Sequence, residues 1–273
     1  MARRLITFLA LVAALGGAGF LGLGRFERAM VYPFDKSRTY PETIGLDSVR
    51  EVLFDSLGQT LVLWVSPPEP GKPVILYFHG NAGNLANRAH RFAAFLDRGY
   101  GLIAPAYRGS SGSTGKPSER AITRDTRAIW RNVDSLISGI GATDIVIYGE
   151  SLGAAVTLKM LDAPDTPRPR AVVLEAPFRT LADVVRHTAP QFEPLIPQMK
   201  NVWNSQAHAR ALTAPLLILH GTEDALIPIE QGRAIHDAAR SSPKTFQAIR
   251  GAGHNNVWEM GDLSALWRFV EAD

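Results

Sequence analysis

Residues 144–161, Asp-Ile-Val-Ile-Tyr-Gly-Glu-Ser-Leu-Gly-Ala-Ala-Val-Thr-Leu-Lys-Met-Leu, decide the fold. Ile145 to Tyr148 is a short run apolar on both faces, which suits a buried strand, and Ala154 to Leu161 has the composition and length of a helix. Between them stands Gly149-Glu150-Ser151-Leu152-Gly153, the pattern G-x-S-x-G in the strand–turn–helix context it requires. The glycines have a steric reason. A strand that turns abruptly into a helix holds the serine in a strained conformation, where side chains at the flanking positions would clash. Ser151 is then expected to stand at the sheet edge, with the helix it opens directing free N–H groups at a developing oxyanion. The competing reading is a glycine-rich strand-to-helix turn without chemistry.

The same alternation continues outward in both directions. Val74 to Phe78, Leu102 to Ala106, Ala171 to Leu174, Leu216 to Leu219 and Phe246 to Ile249 are further apolar runs that suit strands buried on both faces. Val49 to Phe54 and Leu61 to Val65, joined near Gly58-Gln59, read as a preceding hairpin. Ala89 to Arg98, Glu119 to Ile137, Leu152 to Leu161, Ile229 to Ala239 and Leu263 to Glu271 have helical length and spacing. Right-handed crossovers between such units predict an α/β fold: an open, mostly parallel sheet covered on both faces, with functional residues at the carboxyl ends of strands. One stretch breaks the rhythm. Phe178 to Thr213, with Pro190, Pro194 and Pro197, separates two strands as a lid-like insert.

Composition narrows the function classes. Of 273 residues, 46% are hydrophobic and 20% charged, as in a globular protein, and no cysteine is present to make a disulfide, a cysteine-based metal site or a thiol nucleophile. Four of the 29 basic residues (Arg3, Arg4, Arg25, Arg28) and one of the 26 acidic ones (Glu27) lie within residues 1–28, leaving 25 of each sign elsewhere. The net charge of +3 therefore belongs to the N-terminus, and composition makes no case for nucleic acid. No H-E-x-x-H or dense His and carboxylate cluster suggests a metal. Gly17-Ala-Gly19-Phe-Leu-Gly22 matches a dinucleotide fingerprint but follows no strand, and Gly115-Lys116 has Ser110 and Pro117 where a phosphate-binding loop needs glycine and Ser or Thr. No cofactor is expected.

Leu5 to Gly24 is a run of twenty uncharged residues between Arg3-Arg4 and Arg25, about the length of a membrane-spanning helix. The flanking charges predict a single N-terminal anchor with the following domain on the exported side. The alternative is a signal segment cleaved at Ala14-Leu15-Gly16 or Gly16-Gly17-Ala18, releasing a secreted protein. The expected organisation is residues 1–28 as anchor or signal and 29–273 as one domain, with 178–213 as its insert.

A serine hydroxyl is a weak nucleophile, so Ser151 needs a histidine base and a carboxylate to orient it. Of seven histidines, His254, in Gly253-His-Asn255 just after the last strand, lies at the right sheet edge. His79 and His220 end strands and read as supports for their loops, and His90, His187, His208 and His236 as surface or packing residues. The acid is expected on the loop after Leu216 to Leu219, where Asp224 is favoured over Glu223 for its shorter, better-fixed side chain. Two backbone N–H groups complete the set: Leu152, and Asn81 in His79-Gly-Asn-Ala-Gly-Asn84, with Ala82 as the neighbour that could replace it.

Tyr77-Phe-His-Gly-Asn-Ala-Gly-Asn84, Tyr107-Arg-Gly-Ser-Ser-Gly-Ser113, Gly115-Lys-Pro-Ser-Glu119, Gly149-Glu-Ser-Leu-Gly153, His220-Gly-Thr-Glu-Asp224 and Gly253-His-Asn255 together resemble serine α/β-hydrolases of the membrane-anchored alpha/beta-hydrolase domain group, which include protein depalmitoylases. The resemblance implies an eight-stranded sheet, a Ser151-Asp224-His254 triad and no cofactor. It departs at Ser110, where relatives carry a second aromatic, and this predicts a more open wall there. The expected reaction is cleavage of a carboxylic ester or thioester through an acyl-enzyme. The substrate is a small or lipid-like acyl ester or an acylated protein, its pocket set by the 178–213 insert, where Phe192, Met199 and Trp203 suggest an apolar wall. A peptidase or amidase, an acyltransferase and a non-catalytic binding module are the rivals; no oligomeric state is implied.

Overall fold

The computed structural model describes residues 22–272. Eight strands form one sheet in the order β1-β2-β4-β3-β5-β6-β7-β8: β1 Arg50–Ser56, β2 Gln59–Ser66, β3 Val74–Phe78, β4 Gly101–Pro105, β5 Ile145–Glu150, β6 Ala171–Glu175, β7 Leu216–Gly221 and β8 Lys244–Ile249. β1 and β2 are the expected hairpin; β2 meets β4 antiparallel, and every later pairing is parallel. β3, β4, β6 and β7 are buried along their whole length, whereas the edge strands β1 and β8 are largely half-buried or exposed.

Strand alternation distributes side chains between two layers. Leu76, Phe78, Ile145 and Ile147 face a layer with the helices Glu119–Arg131 and Leu152–Leu161. Ile75, Tyr77, Val146 and Tyr148 face the opposite layer, with Phe92 and Phe95 of helix Ala89–Leu96 and Leu266 and Val270 of helix Ser264–Glu271. The predicted helix from Glu119 to Ile137 is interrupted at Asn132 and resumes as Val133–Leu136. Ile129, Trp130, Val133 and Leu136 are all buried, so the hydrophobic period runs across the break and conceals it in the sequence. Locally, the Asn132 amide donates to the Ala128 carbonyl at 2.8 Å, the kind of side-chain contact that competes with helix continuation.

The insert folds as a cap made of helix Leu181–Thr188, a 3₁₀ segment Pro190–Gln198 and helix Ser205–Ala209. Three prolines favour the short, irregular middle piece over a regular helix. Residues 22–31 are helical and pack beside this cap, so the boundary expected after residue 28 falls within a helix. The run Leu5–Gly24 lies outside the described residues except for 22–24, and no helix among the described residues is long and apolar enough to cross a membrane.

Candidate active site

β5 turns into helix Leu152–Leu161 at Ser151, whose φ of 52° and ψ of −108° lie in a region that side-chain-bearing residues avoid. The motif glycines permit the turn. A Cβ on Gly149 would come within 2.6 Å of the Gly153 carbonyl oxygen, and one on Gly153 would overlap the backbone of Phe78. The Ser151 N–H donates to the Glu175 carbonyl at 2.8 Å, fastening the elbow to the neighbouring strand β6.

Three loops at the carboxyl edge of the sheet bring the expected residues together. His254 Nε2 lies 3.1 Å from Ser151 Oγ, and His254 Nδ1 lies 2.8 Å from Asp224 Oδ2. The other Asp224 oxygen accepts N–H bonds from Leu226 at 2.9 Å and Ile227 at 2.8 Å. Burial opposes the charge on Asp224, but His220 and His254 beside it and the Ile227 amide outweigh that and hold its carboxyl well below the usual range. A carboxylate at Nδ1 favours the tautomer with Nε2 free to accept the serine proton. Glu223, the alternative acid, does not take this position.

His220 and His79 are both fully buried loop supports. His220 Nε2 donates to the Ile227 carbonyl at 2.8 Å, closing the loop that presents Asp224. His79 Nδ1 donates to the Gly80 carbonyl at 2.8 Å, and the Tyr107 hydroxyl donates to the His79 carbonyl at 3.0 Å. Ser110 is completely buried and its hydroxyl lies 3.1 Å from that of Ser111, so the more open wall expected there is absent.

Asn81, Ser151 and Leu152 all border one cavity of about 250 Å³. Apolar side chains from the cap, including Leu181, Val184, Val185, Phe192 and Met199, form much of its lining. Trp203 does not belong to that wall: it is buried in the core, with its indole N–H donating to the Tyr32 hydroxyl at 2.9 Å. Among the described residues, no group of three or more His, Asp or Glu is arranged to hold a metal ion.

The loop carrying Asn81 is positioned by a residue without a motif. Arg88 donates to the Ala82 carbonyl at 2.7 Å and, through Nε and Nη2, to both oxygens of Glu150 at 3.1 and 2.8 Å. Glu150 immediately precedes Ser151, so one guanidinium ties the Asn81 loop to the elbow. Glu150 also accepts from the Tyr77 hydroxyl at 2.7 Å. Burial pushes its pKa up, but the charge and hydrogen bonds of Arg88 outweigh that and bring it down to about 2. Glu150 was legible as a motif position, but its partner is 62 residues distant in sequence and nothing local marks Arg88.

Two measurements follow from this geometry. Arg88→Lys keeps a charge but cannot span Glu150 and Ala82 as a planar fork, and is expected to lower kcat for p-nitrophenyl butyrate by about tenfold with little change in KM. Burial first, and then repulsion from Arg88, lowers the His79 pKa to about 3. Below about pH 6.5 the unfolded chain gains a proton that the folded chain refuses until about pH 3, so stability is lost as pH falls through this window. Urea unfolding at pH 7.5 and 5.5 is expected to show a loss about 1.4 kcal/mol larger in the parent than in His79→Gln.

Comparison with known proteins agrees with this architecture. Residues 73–201 match the family model "alpha/beta hydrolase fold", and residues 198–260 match a model described as serine aminopeptidase. An uncharacterised protein of Mycobacterium tuberculosis is 30% identical over 98% of this chain and 95% of its own length. Protein bem46 of Schizosaccharomyces pombe is 32% identical over 79% of this chain and 71% of its own. The lysophosphatidylserine lipase ABHD12 of Rattus norvegicus is 30% identical over 72% of this chain, which spans 55% of that relative. Among solved structures, an alpha-beta hydrolase from Vibrio vulnificus superposes with a TM-score of 0.73 over 91% of this chain and 93% of its own at 19% identity, a likeness of fold. The fold, the G-x-S-x-G elbow and these relatives together place the chain in the serine α/β-hydrolase superfamily, in its ABHD-type group.

Proposed function

We propose that this hydrolase cleaves carboxylic ester or thioester bonds of single-chain acyl substrates, with Ser151 as nucleophile, His254 as general base and acid, and Asp224 orienting the imidazole. The observation that carries this reading is the hydrogen-bonded line from Asp224 through His254 to Ser151 at the wall of an apolar cavity. Ser151 Oγ attacks the acyl carbonyl carbon while its proton passes to His254 Nε2. The Leu152 and Asn81 N–H groups receive the negative charge that develops on the carbonyl oxygen. Collapse breaks the bond to the alcohol or thiol, which leaves with the proton from His254. Water then attacks the acyl-enzyme, gives a proton to His254, and releases the acid as that proton returns to Ser151.

At about 250 Å³ the cavity lies just below the roughly 300 to 1,000 Å³ usual for ligand pockets, and this small, largely apolar space supports a single acyl chain rather than a bulkier ligand. A relative named as a lysophosphatidylserine lipase supports a single-chain lipid ester in the same way. The serine aminopeptidase match over residues 198–260 favours peptide amides as a second reading. An aminopeptidase needs an acceptor for its substrate's ammonium group, and Glu27, the carboxylate bordering the cavity, is already engaged by the backbone N–H groups of Lys200 and Asn201. The uncharged run Leu5–Gly24 supports attachment to a bilayer.

The full chain is expected to hydrolyse p-nitrophenyl esters in a series from acetyl to palmitoyl, and Ser151→Ala to lose more than about a thousandfold in kcat. Full turnover in that variant would remove the proposed nucleophile, and preferential cleavage of leucine p-nitroanilide would select the amide reading. With membrane attachment, the full chain stays in the pellet of a sodium carbonate wash, whereas release into the supernatant excludes an integral anchor.

A further inference from the structure

One wall of the cavity comes from neither the sheet nor the cap. Leu23, Phe26, Glu27, Met30 and Val31 border it, and their spacing of three and four residues sets them on one face of the helix at residues 22–31. Phe26 and Met30 are 42% and 54% exposed and form its outer lip.

Glu27 interrupts this otherwise apolar stripe, and its contacts explain its presence. Its Oε1 accepts from the Lys200 N–H at 3.0 Å, the Asn201 N–H at 2.8 Å and the Asn201 side-chain amide at 2.8 Å. These bonds latch the helix to the returning limb of the cap. The latch continues inward, because Asn201 Oδ1 accepts from the Tyr32 hydroxyl and from the Glu119 N–H, each at 2.7 Å. At the lip, the Phe26 ring meets Phe192 of the cap edge-on at 5.2 Å.

The helix also has a direction relative to Ser151. Its carboxyl end leads to Asp35, whose N–H donates at 3.0 Å to Gly83, in the loop that carries Asn81. From Val31 back to Leu23 the helix advances about 12 Å at 1.5 Å per residue. Val31 thus flanks the beginning of an acyl chain held at Ser151, and Leu23 flanks its far end.

We propose that the helix at residues 22–31 is the wall that measures acyl-chain length, and that Glu27 holds it in place against the cap. This rests on the ester-hydrolase reading above and makes Leu23 a specificity determinant and Glu27 a positioning residue.

Rates with p-nitrophenyl butyrate and p-nitrophenyl decanoate, measured in the full chain, test the proposal. Leu23→Trp fills the far end and is expected to lower the decanoate-to-butyrate ratio of kcat/KM at least about tenfold, the scale on which apolar pockets discriminate methylenes. Glu27→Ala releases the wall and is expected to lower the same ratio at least about fivefold, mainly through KM for decanoate, with Glu27→Gln between it and the parent. A ratio within about twofold of the parent in both Leu23→Trp and Glu27→Ala overturns the proposal. Stoichiometric labelling of Ser151 by a small fluorophosphonate shows that each variant retains a folded nucleophile. A parent chain that is neither labelled nor active on either ester overturns the hydrolase reading itself, and the wall proposal with it.

Discussion

Holding one serine at a positive φ is the constraint from which the surrounding structure follows. A conformation of this kind costs of order 1–3 kcal/mol and persists only where its surroundings over-determine it. Here the N–H of Ser151 is fastened to β6, and the helix it opens is buried along almost its whole length. Helices Glu119–Arg131 and Ser205–Ala209 also pack against it. The strained residue is thus built into the buried interior, where small displacements are resisted by close packing. Its hydroxyl emerges at the carboxyl edge of the parallel strands, where the loops after β3, β7 and β8 also end.

A second layer of constraint is electrostatic. Behind the elbow, Arg91 donates to both oxygens of Glu175 at 2.7 and 3.1 Å, and Tyr148 and the Trp258 indole N–H also donate to that carboxylate. Arg88 and Glu150 form the adjoining pair. Buried ion pairs contribute little net stability, yet losing one partner leaves an uncompensated charge at a cost of about 3–5 kcal/mol. Their value here is positional. Glu150 precedes Ser151 in the chain, and the Glu175 carbonyl holds the Ser151 N–H, so the charged network sets the elbow from two sides.

The edge of the site follows different rules from its floor. β3, β5 and β6 leave little freedom to vary, because they are buried on both faces and in register with one another. The cap and the helix at residues 22–31 meet through a few polar bonds around Glu27 and Asn201 and through apolar contact around the cavity. The residues proposed to do the chemistry thus sit on the buried scaffold, while much of the cavity wall belongs to the cap and the helix at residues 22–31.

Much of this was legible in one dimension because it depends on local physics. Apolar runs reveal buried strands, and β3 and the helix after Ser151 occupy the residues expected, Val74–Phe78 and Leu152–Leu161. Glycines flanking a serine announce a tight elbow, and strand ends identify loops that must share one edge, so Ser151, Asp224 and His254 were recognisable before their distances were known. The break at Asn132 was not, because hydrophobic periodicity crosses it undisturbed. Nor was the removal of Trp203 from the pocket, since burial by itself does not say which side of a wall a side chain faces. Arg88 and Glu27 carry no motif at all. Their roles come from partners 62 and 174 residues away, Glu150 and Asn201, brought together by closure of the whole domain. Sequence determined the elements and the identity of the candidate nucleophile, base and acid, because each depends on residues close along the chain; tertiary structure decided what positions them and what encloses the cavity, because those contacts exist only once distant segments pack.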